Sequence, residues 1–305
     1  MVLLQQMIAL FIFMIIGYGV RKAGYVDEKS ANTMSWMIVN VYNPALILSA
    51  SVTREEPVDP ILLFRIFAIA IIFYIIMILI SYPAVALLHL PKNAQGVYRV
   101  MTVFSNIGFM GIPLISALYG SEALLYASIF GIPFNILVYT YGVSSMQSGE
   151  EKTKFNFKQM INVGSIASIL TLIIALCNIP MPSFVQTTVT NLSNVTVSLS
   201  MIVIGTTLVS IDLKGLFTDL KLLAFSAIKL LIIPVIGLFI IKAVITDNML
   251  QSIFLIILAT PCAAISPMLA LQYGGDSEAA SKAIALTTIL SVITIPVVSM
   301  ITGIG

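Results

Sequence analysis

Two short interruptions inside long apolar stretches contain the residues best suited to bind a solute. The first holds Ser105, Asn106, Gly108, Gly111 and Pro113, and the second holds Thr260, Pro261, Cys262, Ser266 and Pro267. Proline lacks a backbone N–H and glycine permits non-helical angles, so each interruption predicts a broken helix. Because unpaired backbone groups survive at membrane depth only inside protein or along an aqueous cavity, we expect both breaks to line a solute path.

The chemistry expected at these breaks is the binding of an anion. Each break should leave a second half-helix whose N-terminus faces the middle of the membrane. Such an end carries about +0.5 of an elementary charge together with free backbone N–H groups, which suit a carboxylate. The alternative is that both segments are merely kinked helices in tight packing, since glycine and proline are frequent in membrane spans.

The two interruptions occupy corresponding places in the two halves of the chain. Adding 154 to the residue number carries Pro113 onto Pro267 and Gly120 onto Gly274. Broken helices at matched positions of an internal repeat are typical of secondary transporters that bind their solute near the bilayer midplane. The matched positions favour a binding site over tight packing alone.

Other polar side chains also fall within apolar stretches. Asn43 precedes Pro44, and its amide suits either an interhelical hydrogen bond or a place on the solute path. Asn135 and Tyr139 are one helical turn apart and could face the first break. Lys229 is the ionisable residue deepest in a span, and it is either a charge partner in the site or a side chain that extends to the inner surface.

A polar stripe marks one face of a later apolar stretch. Its members are spaced by four, three and four residues, which is the spacing of one helix face: Thr187, Asn191, Asn194 and Ser198. Such a face is unsuited to lipid, so we expect it to pack against protein through hydrogen bonds.

The amino-acid composition of the chain indicates that all of these residues lie in membrane-spanning helices. The chain is 59% hydrophobic and 9% charged, whereas a soluble domain has about 25% charged residues. The lipid bilayer is therefore the expected surrounding, and a net charge of +2 gives no reason to expect nucleic acid. The cysteines are too few for a metal site or a disulfide framework.

A hydrocarbon core of about 30 Å needs about 20 helical residues to cross it. Ten apolar stretches of about that length are present, so ten membrane spans are expected. They cover residues 2–20, 32–52, 61–82, 96–119, 122–146, 159–178, 184–209, 220–244, 250–273 and 279–303. Eleven of the 15 Lys and Arg residues fall on the inner side if both termini lie outside. The positive-inside rule therefore predicts that orientation, in the plasma membrane.

The longest polar connection divides the spans into two sets of five. Residues 1–146 and 159–305 form the two halves, joined by a cytoplasmic linker at 147–158. An odd number of spans in each half means that the second half enters from the opposite side of the membrane. The predicted fold is therefore an all-α integral membrane protein of ten transmembrane helices, in two inverted five-helix repeats with helices 4 and 9 broken.

The segment FSNIGFMGIPLISALYG at 104–120 resembles the fourth-span signature of the auxin efflux carrier family. Residues 21–48, 229–238 and 260–296 are similar to other parts of that family, so the resemblance extends from the first span to the last. It implies the fold shared with bile-acid sodium symporters, in which the broken helices 4 and 9 cross. In that fold helices 1, 2, 6 and 7 form a scaffold, and helices 3–5 and 8–10 move like an elevator.

The resemblance also implies where the substrate binds. Substrate residues of the family cluster at the crossing, which here maps to Ser105 and Asn106 on one side and Thr260, Pro261 and Cys262 on the other. The family includes plant auxin exporters and bacterial carriers of malate, malonate and similar anions. This chain has Ser105 where plant members have proline, and it has a short linker where they have a long regulatory loop.

The sequence therefore predicts a secondary active or facilitative carrier of a small carboxylate, without a cofactor and without enzymatic activity. A proton or sodium ion as coupling ion is left open, and the resemblance implies a homodimer. The alternatives are a non-transporting receptor or scaffold with the same fold, an exporter of the indole-acetate type, and a channel. An intramembrane enzyme is disfavoured, because the sole histidine, His89, falls in a predicted loop.

Overall fold

The computed structural model describes residues 2–54, 57–147, 162–209 and 213–304. All regular secondary structure in these ranges is helical. The α-helices are α1 Val2–Lys22, α2 Glu28–Met37, α3 Asn43–Val52, α4 Pro60–Ala86, α5 Lys92–Val103, α6 Ile112–Leu137, α7 Val143–Met146, α8 Val163–Leu176, α9 Ser183–Leu208, α10 Leu213–Leu216, α11 Leu220–Ala227, α12 Ile233–Val244, α13 Asn248–Ala259, α14 Ser266–Tyr273 and α15 Ser277–Thr302. Wider π-helical turns are described at Ile38–Tyr42, Ile107–Gly111, Val138–Gly142 and Ile228–Ile232.

Several of these helices are long and apolar enough to cross a membrane. Among the described residues they are Pro60–Ala86, Ile107–Met146, Ser183–Leu208, Leu220–Val244 and Ser277–Thr302. The helices Val163–Leu176 and Asn248–Ala259 are apolar but shorter. The prediction of an all-helical, multi-pass membrane protein is confirmed. The ten-span inverted repeat stays a prediction, and its linker lies, apart from Gln147, outside the described residues.

Gly120 separates two segments within the 40-residue stretch Ile107–Met146. Its φ of 73° and ψ of −160° place it in a region that glycine adopts and other residues avoid. The kink falls between the predicted spans 96–119 and 122–146. The stretch therefore holds the end of the first predicted span and the whole of the second.

Proline explains most of the π-helical turns. Three turns each end two residues before a proline: Ile38–Tyr42 before Pro44, Ile107–Gly111 before Pro113, and Ile228–Ile232 before Pro234. A proline cannot donate to the carbonyl four residues earlier, and its ring clashes with that carbonyl. A π-helical turn widens the backbone at that place and lets the helix continue. Asn43, Gly108 and Lys229 all lie in or next to such a turn.

The described residues belong to two compact units. The first unit takes its residues from 1–70, 107–132 and 161–210, and the second takes them from 71–106, 133–160 and 211–305. The change of unit between Asn106 and Ile107 coincides with the interruption in the predicted fourth span. The predicted division into two repeats and a linker stays a prediction.

In the first unit, α1 and α9 pack closely through two glycines. A Cβ atom on Gly17 would overlap the carbonyl of Ile202, and one on Gly205 would overlap the carbonyl of Met14. Small residues permit such close approach between membrane helices, where van der Waals packing supplies much of the attraction. The two helices are therefore in close backbone contact within this unit.

In the second unit, three aspartates fix the starts of helices that surround the crossing described below. Asp219, Asp247 and Asp276 cap α11, α13 and α15, and each carboxylate accepts a hydrogen bond from a backbone N–H in the first helical turn. The helix α14 ends at Gly274, whose φ of 79° is left-handed. These ends satisfy backbone groups that the helices themselves leave unpaired.

Candidate functional site

Two helices of the second unit are interrupted inside their apolar stretches. α5 ends at Val103 and α13 ends at Ala259. The next residues are extended, with φ −103° and ψ 117° at Phe104 and φ −68° and ψ 151° at Thr260. The Thr260 hydroxyl donates to the carbonyl of Ile257 at 3.3 Å. Both interruptions lie in the stretches that the sequence singled out.

The two extended segments pair with each other in antiparallel fashion. The N–H of Asn106 donates to the carbonyl of Pro261 at 2.7 Å, and the N–H of Ala263 donates to the carbonyl of Phe104 at 3.0 Å. These bonds satisfy backbone groups that a helix interruption leaves unpaired in an apolar interior. We refer to the paired residues as the crossing: Phe104, Ser105, Asn106, Pro261, Cys262 and Ala263.

Ser105 and Cys262 face each other at the centre of the crossing. They form a non-hydrogen-bonded pair, the arrangement in which opposite side chains come closest. Their exposed fractions are 3% and 0%, and that of Asn106 is 4%. The sequence prediction thus named five residues that the structure brings together, these three with Thr260 and Pro261.

Lys229 points to the crossing from the π-helical turn Ile228–Ile232. Its side-chain nitrogen donates to the Ser105 hydroxyl oxygen at 2.7 Å and to the Thr102 carbonyl at 3.2 Å. Cys262 lies near this nitrogen. The sequence left two alternatives for Lys229, a charge partner in the site or a side chain that extends to the inner surface. In the structure the side chain is directed into the protein interior, and its exposed fraction is 0%.

The charge of Lys229 is not balanced by an acidic side chain in the described part of the protein. The salt bridge described there joins Lys282 and Glu278 on α15, at the protein surface. The Thr102 carbonyl belongs to the last turn of α5 and supplies part of a negative charge through the helix dipole. A buried charge without a full partner costs several kcal/mol unless another group supplies the missing negative charge.

The second half-helix after the crossing, α14, begins at Ser266. The N–H of Ser266 donates to the Ala263 carbonyl at 3.0 Å, while its hydroxyl is buried without a partner among the described residues. Pro267 follows in the first turn, where its missing N–H is not needed. Pro113 likewise is the second residue of α6, and Gly111 ends the turn before it. These three predicted helix-break residues therefore lie beyond the interruptions themselves.

Thr287 is a residue of the site that sequence reasoning did not identify. Its hydroxyl oxygen accepts a hydrogen bond from the Cys262 N–H at 3.3 Å and donates to the Ala283 carbonyl at 2.6 Å. It thereby ties the crossing to α15. The available signal was the adjacent pair Thr287 and Thr288 in an otherwise apolar stretch, and both side chains are buried.

An aromatic cluster packs against one end of the crossing. The ring centroid of Phe104 lies 6.1 Å from that of Tyr74 and 5.4 Å from that of Phe134. Phe73 extends the cluster to Phe254, with centroids 5.3 Å apart. The Phe104–Phe134 and Phe73–Phe254 pairs are edge-to-face and the Tyr74 and Phe104 rings are tilted, and such packing holds Phe104 in place.

The first unit contains the predicted site residues Asn43 and Gly108. The Asn43 amide nitrogen donates to the Gly108 carbonyl at 2.8 Å, so the interhelical hydrogen bond expected as one alternative is present. The Asn43 amide oxygen is buried without a partner among the described residues. A place for Asn43 on the solute path stays a prediction.

Asn135 and Tyr139 are half-buried in the second unit. Tyr139 lies in the turn Val138–Gly142 and near Tyr273, the last residue of α14. The crossing precedes the first residue of that helix, so Tyr139 is placed at the opposite end. The expectation that this pair faces the first break stays a prediction.

Comparisons with known proteins agree with the resemblance in sequence. The profile of a family described as membrane transport protein matches residues 2–163 and 152–299. An uncharacterized transporter of Methanothermobacter thermautotrophicus is 25% identical over 298 residues, and the alignment covers 97% of each chain. An uncharacterized transporter of Methanocaldococcus jannaschii is 20% identical over 307 residues, again with 97% of each chain covered. The chain therefore belongs to the membrane transport protein family, the family of the auxin efflux carriers.

Proposed function

We propose that this protein is a secondary active or facilitative carrier of an organic anion, and that the crossing binds the anion. The observation that supports this proposal most directly is the buried ammonium of Lys229, which lies beside Ser105 without a described carboxylate partner. A solute carboxylate would supply the missing negative charge. The hydroxyls and the backbone N–H groups near the crossing would supply hydrogen bonds.

The proposed substrate is a small carboxylate such as malate or malonate. The residues of the crossing are buried, and the aromatic cluster fills the space beside Phe104. Ser105 adds a hydroxyl where plant members of the family have proline, and a hydroxyl suits a compact polar anion better than an indole ring. An exporter of the indole-acetate type is therefore the second choice.

The proposed mechanism is of the elevator type. All six residues of the crossing, together with Lys229 and Thr287, belong to the second unit. A site built within one unit can move with that unit and keep its geometry, which is what an elevator carrier requires. We propose no cofactor and no enzymatic activity, and the coupling ion, H⁺ or Na⁺, stays open.

We propose the plasma membrane as the location, and we propose that both termini lie outside on the basis of the Lys and Arg distribution. Three of the lysines that count toward this orientation lie outside the described residues: Lys152, Lys154 and Lys158. Labelling of single cysteines introduced at the termini in intact cells would test the orientation.

We also propose a homodimer, formed through α9. The polar stripe expected to pack against protein is largely exposed on the single chain: Thr187, Asn191 and Asn194 are exposed, and Ser198 is half-buried. Amide groups in lipid lack hydrogen-bond partners, so a second copy packed on this face would lower their free energy.

The dimer can be tested by cross-linking in native membranes. In a variant without Cys177 and Cys262, a cysteine at Asn191 should form a disulfide-linked dimer on oxidation. A cysteine at Leu79, an exposed position on α4 in the second unit, is the matched control. Equal cross-linking at both positions would contradict the proposed interface.

Binding of the anion can be tested without assuming a transport direction. A ligand that binds the folded protein raises its thermal unfolding midpoint. We expect malate or malonate to raise the midpoint of the purified protein, and the corresponding neutral diamides to leave it unchanged. Stabilisation by neutral or cationic solutes alone would contradict the proposal. Anion binding without any transport would favour the non-transporting receptor or scaffold.

A further inference from the structure

We infer that Lys229 acts on the bound anion through Ser105: its ammonium fixes the Ser105 hydroxyl as a hydrogen-bond donor, and the solute carboxylate accepts from that hydroxyl. Lys229 is thus a positioning residue, and Ser105 is the residue that touches the substrate. This inference rests on the proposed function and adds to it the group that recognises the carboxylate.

The direction of the hydrogen bond follows from the chemistry of the two groups. An ammonium has three N–H donors and no acceptor, so the Ser105 oxygen must accept at the 2.7 Å contact. The single hydroxyl hydrogen of Ser105 is then directed elsewhere. No described residue accepts it, and the side chain is nearly fully buried. A hydroxyl that accepts from a cation is polarised and becomes a stronger donor.

The backbone of Ser105 offers a second donor. In the antiparallel pairing, the bonds are made by Asn106 and Phe104, and Ser105 itself exchanges none with Cys262. Its N–H has no acceptor among the described residues. A carboxylate has two oxygens, so it can accept from the N–H and from the hydroxyl of this one residue.

The ammonium is poorly placed for direct contact with a solute. Its exposed fraction is 0%, and two of its three N–H groups are used by Ser105 and by the Thr102 carbonyl. Cys262, on the other side of the crossing, is also fully buried. A carboxylate that reaches the Ser105 hydroxyl is therefore in hydrogen-bond contact with serine and in electrostatic contact with lysine.

A double-mutant cycle separates this relay from direct contact. The variants are Lys229→Met, Ser105→Ala and the double variant, and the measured quantity is KM for anion counterflow in proteoliposomes. We expect each single variant to raise KM by about tenfold or more, since hydrogen bonds to charged groups contribute about 1.5–3 kcal/mol. The double variant should raise KM by clearly less than the product of the two single effects, because the ammonium acts on the carboxylate largely through the Ser105 hydroxyl.

Conservative variants complete the test. Ser105→Thr keeps the hydroxyl and should keep KM near the wild-type value, as should Lys229→Arg, which keeps a charged donor. If Lys229→Met does not fold, Lys229→Gln keeps an N–H donor for Ser105 without charge and should show an intermediate KM. Effects of Lys229 and Ser105 that multiply in the double variant would overturn the relay while leaving the carrier intact. Absence of carboxylate counterflow in the wild type would instead overturn the proposed function.

Discussion

The side-chain nitrogen of Lys229 lies 2.7 Å from the hydroxyl oxygen of Ser105, at a point where two interrupted helices pair. A fully buried lysine in a membrane protein is costly, and such residues usually serve function. The cost arises because water no longer solvates the ammonium, and a carboxylate from the solute would remove much of it. The relationship between these two residues connects the fold to the proposed anion site.

Replacing Lys229 by Met should separate transport from stability. The change removes an unbalanced buried charge, which is favourable, and it removes donors to Ser105 and Thr102, which costs about 1–3 kcal/mol each. We therefore expect the thermal unfolding midpoint to change little while anion counterflow falls by about tenfold or more. Counterflow assays and thermal unfolding in detergent would measure both.

Lys242 provides the matched control for that variant. It donates to the Thr302 carbonyl at 3.0 Å, away from the crossing. Lys242→Met should leave counterflow unchanged. Equal losses of transport in both variants would show that any lysine of this unit matters and would contradict a special role for Lys229.

Thr287 should support the crossing through its hydroxyl. Thr287→Val keeps the shape of the side chain and leaves the Cys262 N–H without its acceptor, a loss of about 1–3 kcal/mol in unfolding free energy. Thr288→Val is the control, because the Thr288 hydroxyl is already buried without a partner among the described residues. We expect the first variant to be less stable and slower in transport, and the second to be unchanged or more stable. The reverse order would show that the 3.3 Å contact is unimportant.

Cys262 can report on the crossing by its reactivity. In a Cys177→Ser background it is the remaining cysteine of the two in the sequence, and it is fully buried. We expect slow modification by a maleimide, and slower modification when a transported anion is present. The exposed Cys177, tested in a Cys262→Ala background, should react quickly. Modification of both cysteines at the same rate would contradict the described packing of the crossing.

The contact between α1 and α9 predicts a sharp difference between two neighbouring glycines. A Cβ at Gly17 would overlap the Ile202 carbonyl, whereas a Cβ at Gly19 would have no atom within 4 Å. Gly17→Ala should therefore destabilise the protein by about 1–3 kcal/mol, as overpacking does. Gly19→Ala should not, and thermal unfolding of the two variants measures the difference. Equal stability would contradict the close approach of the two helices.

The sequence predicted the helical class, the membrane location and both interruptions, because proline, glycine and apolar length act locally. It predicted interruptions at Ser105–Pro113 and Thr260–Pro267 and named Gly111, Pro113 and Pro267 as the helix-break residues, whereas the chain is extended at the start of each segment. The reason at Pro267 is that proline is well tolerated in the first turn of a helix, and at Pro113 a π-helical turn lets the helix continue through the proline. The local pattern therefore located each break only to within several residues.

The partners of the crossing could not be predicted from local pattern. Lys229 and Thr287 are distant in sequence from Ser105 and Cys262, and their contacts depend on how the helices of the second unit pack. Sequence reasoning identified Lys229 as a polar group in an apolar stretch without its partners, and it did not identify Thr287. The π-helical turn at Lys229 was foreseeable in principle, since Pro234 requires a local widening of its helix.

The most direct measurement is counterflow in proteoliposomes. Proteoliposomes that contain the purified protein would be loaded with unlabelled malate, malonate or indole acetate. The labelled anion would then be added outside, at matched pH and sodium concentration. We predict that one of the small carboxylates accumulates and that Asn106→Leu abolishes the accumulation without loss of membrane insertion. Unchanged counterflow in Asn106→Leu, or no accumulation of any anion by well-folded protein, would contradict an anion site at the crossing.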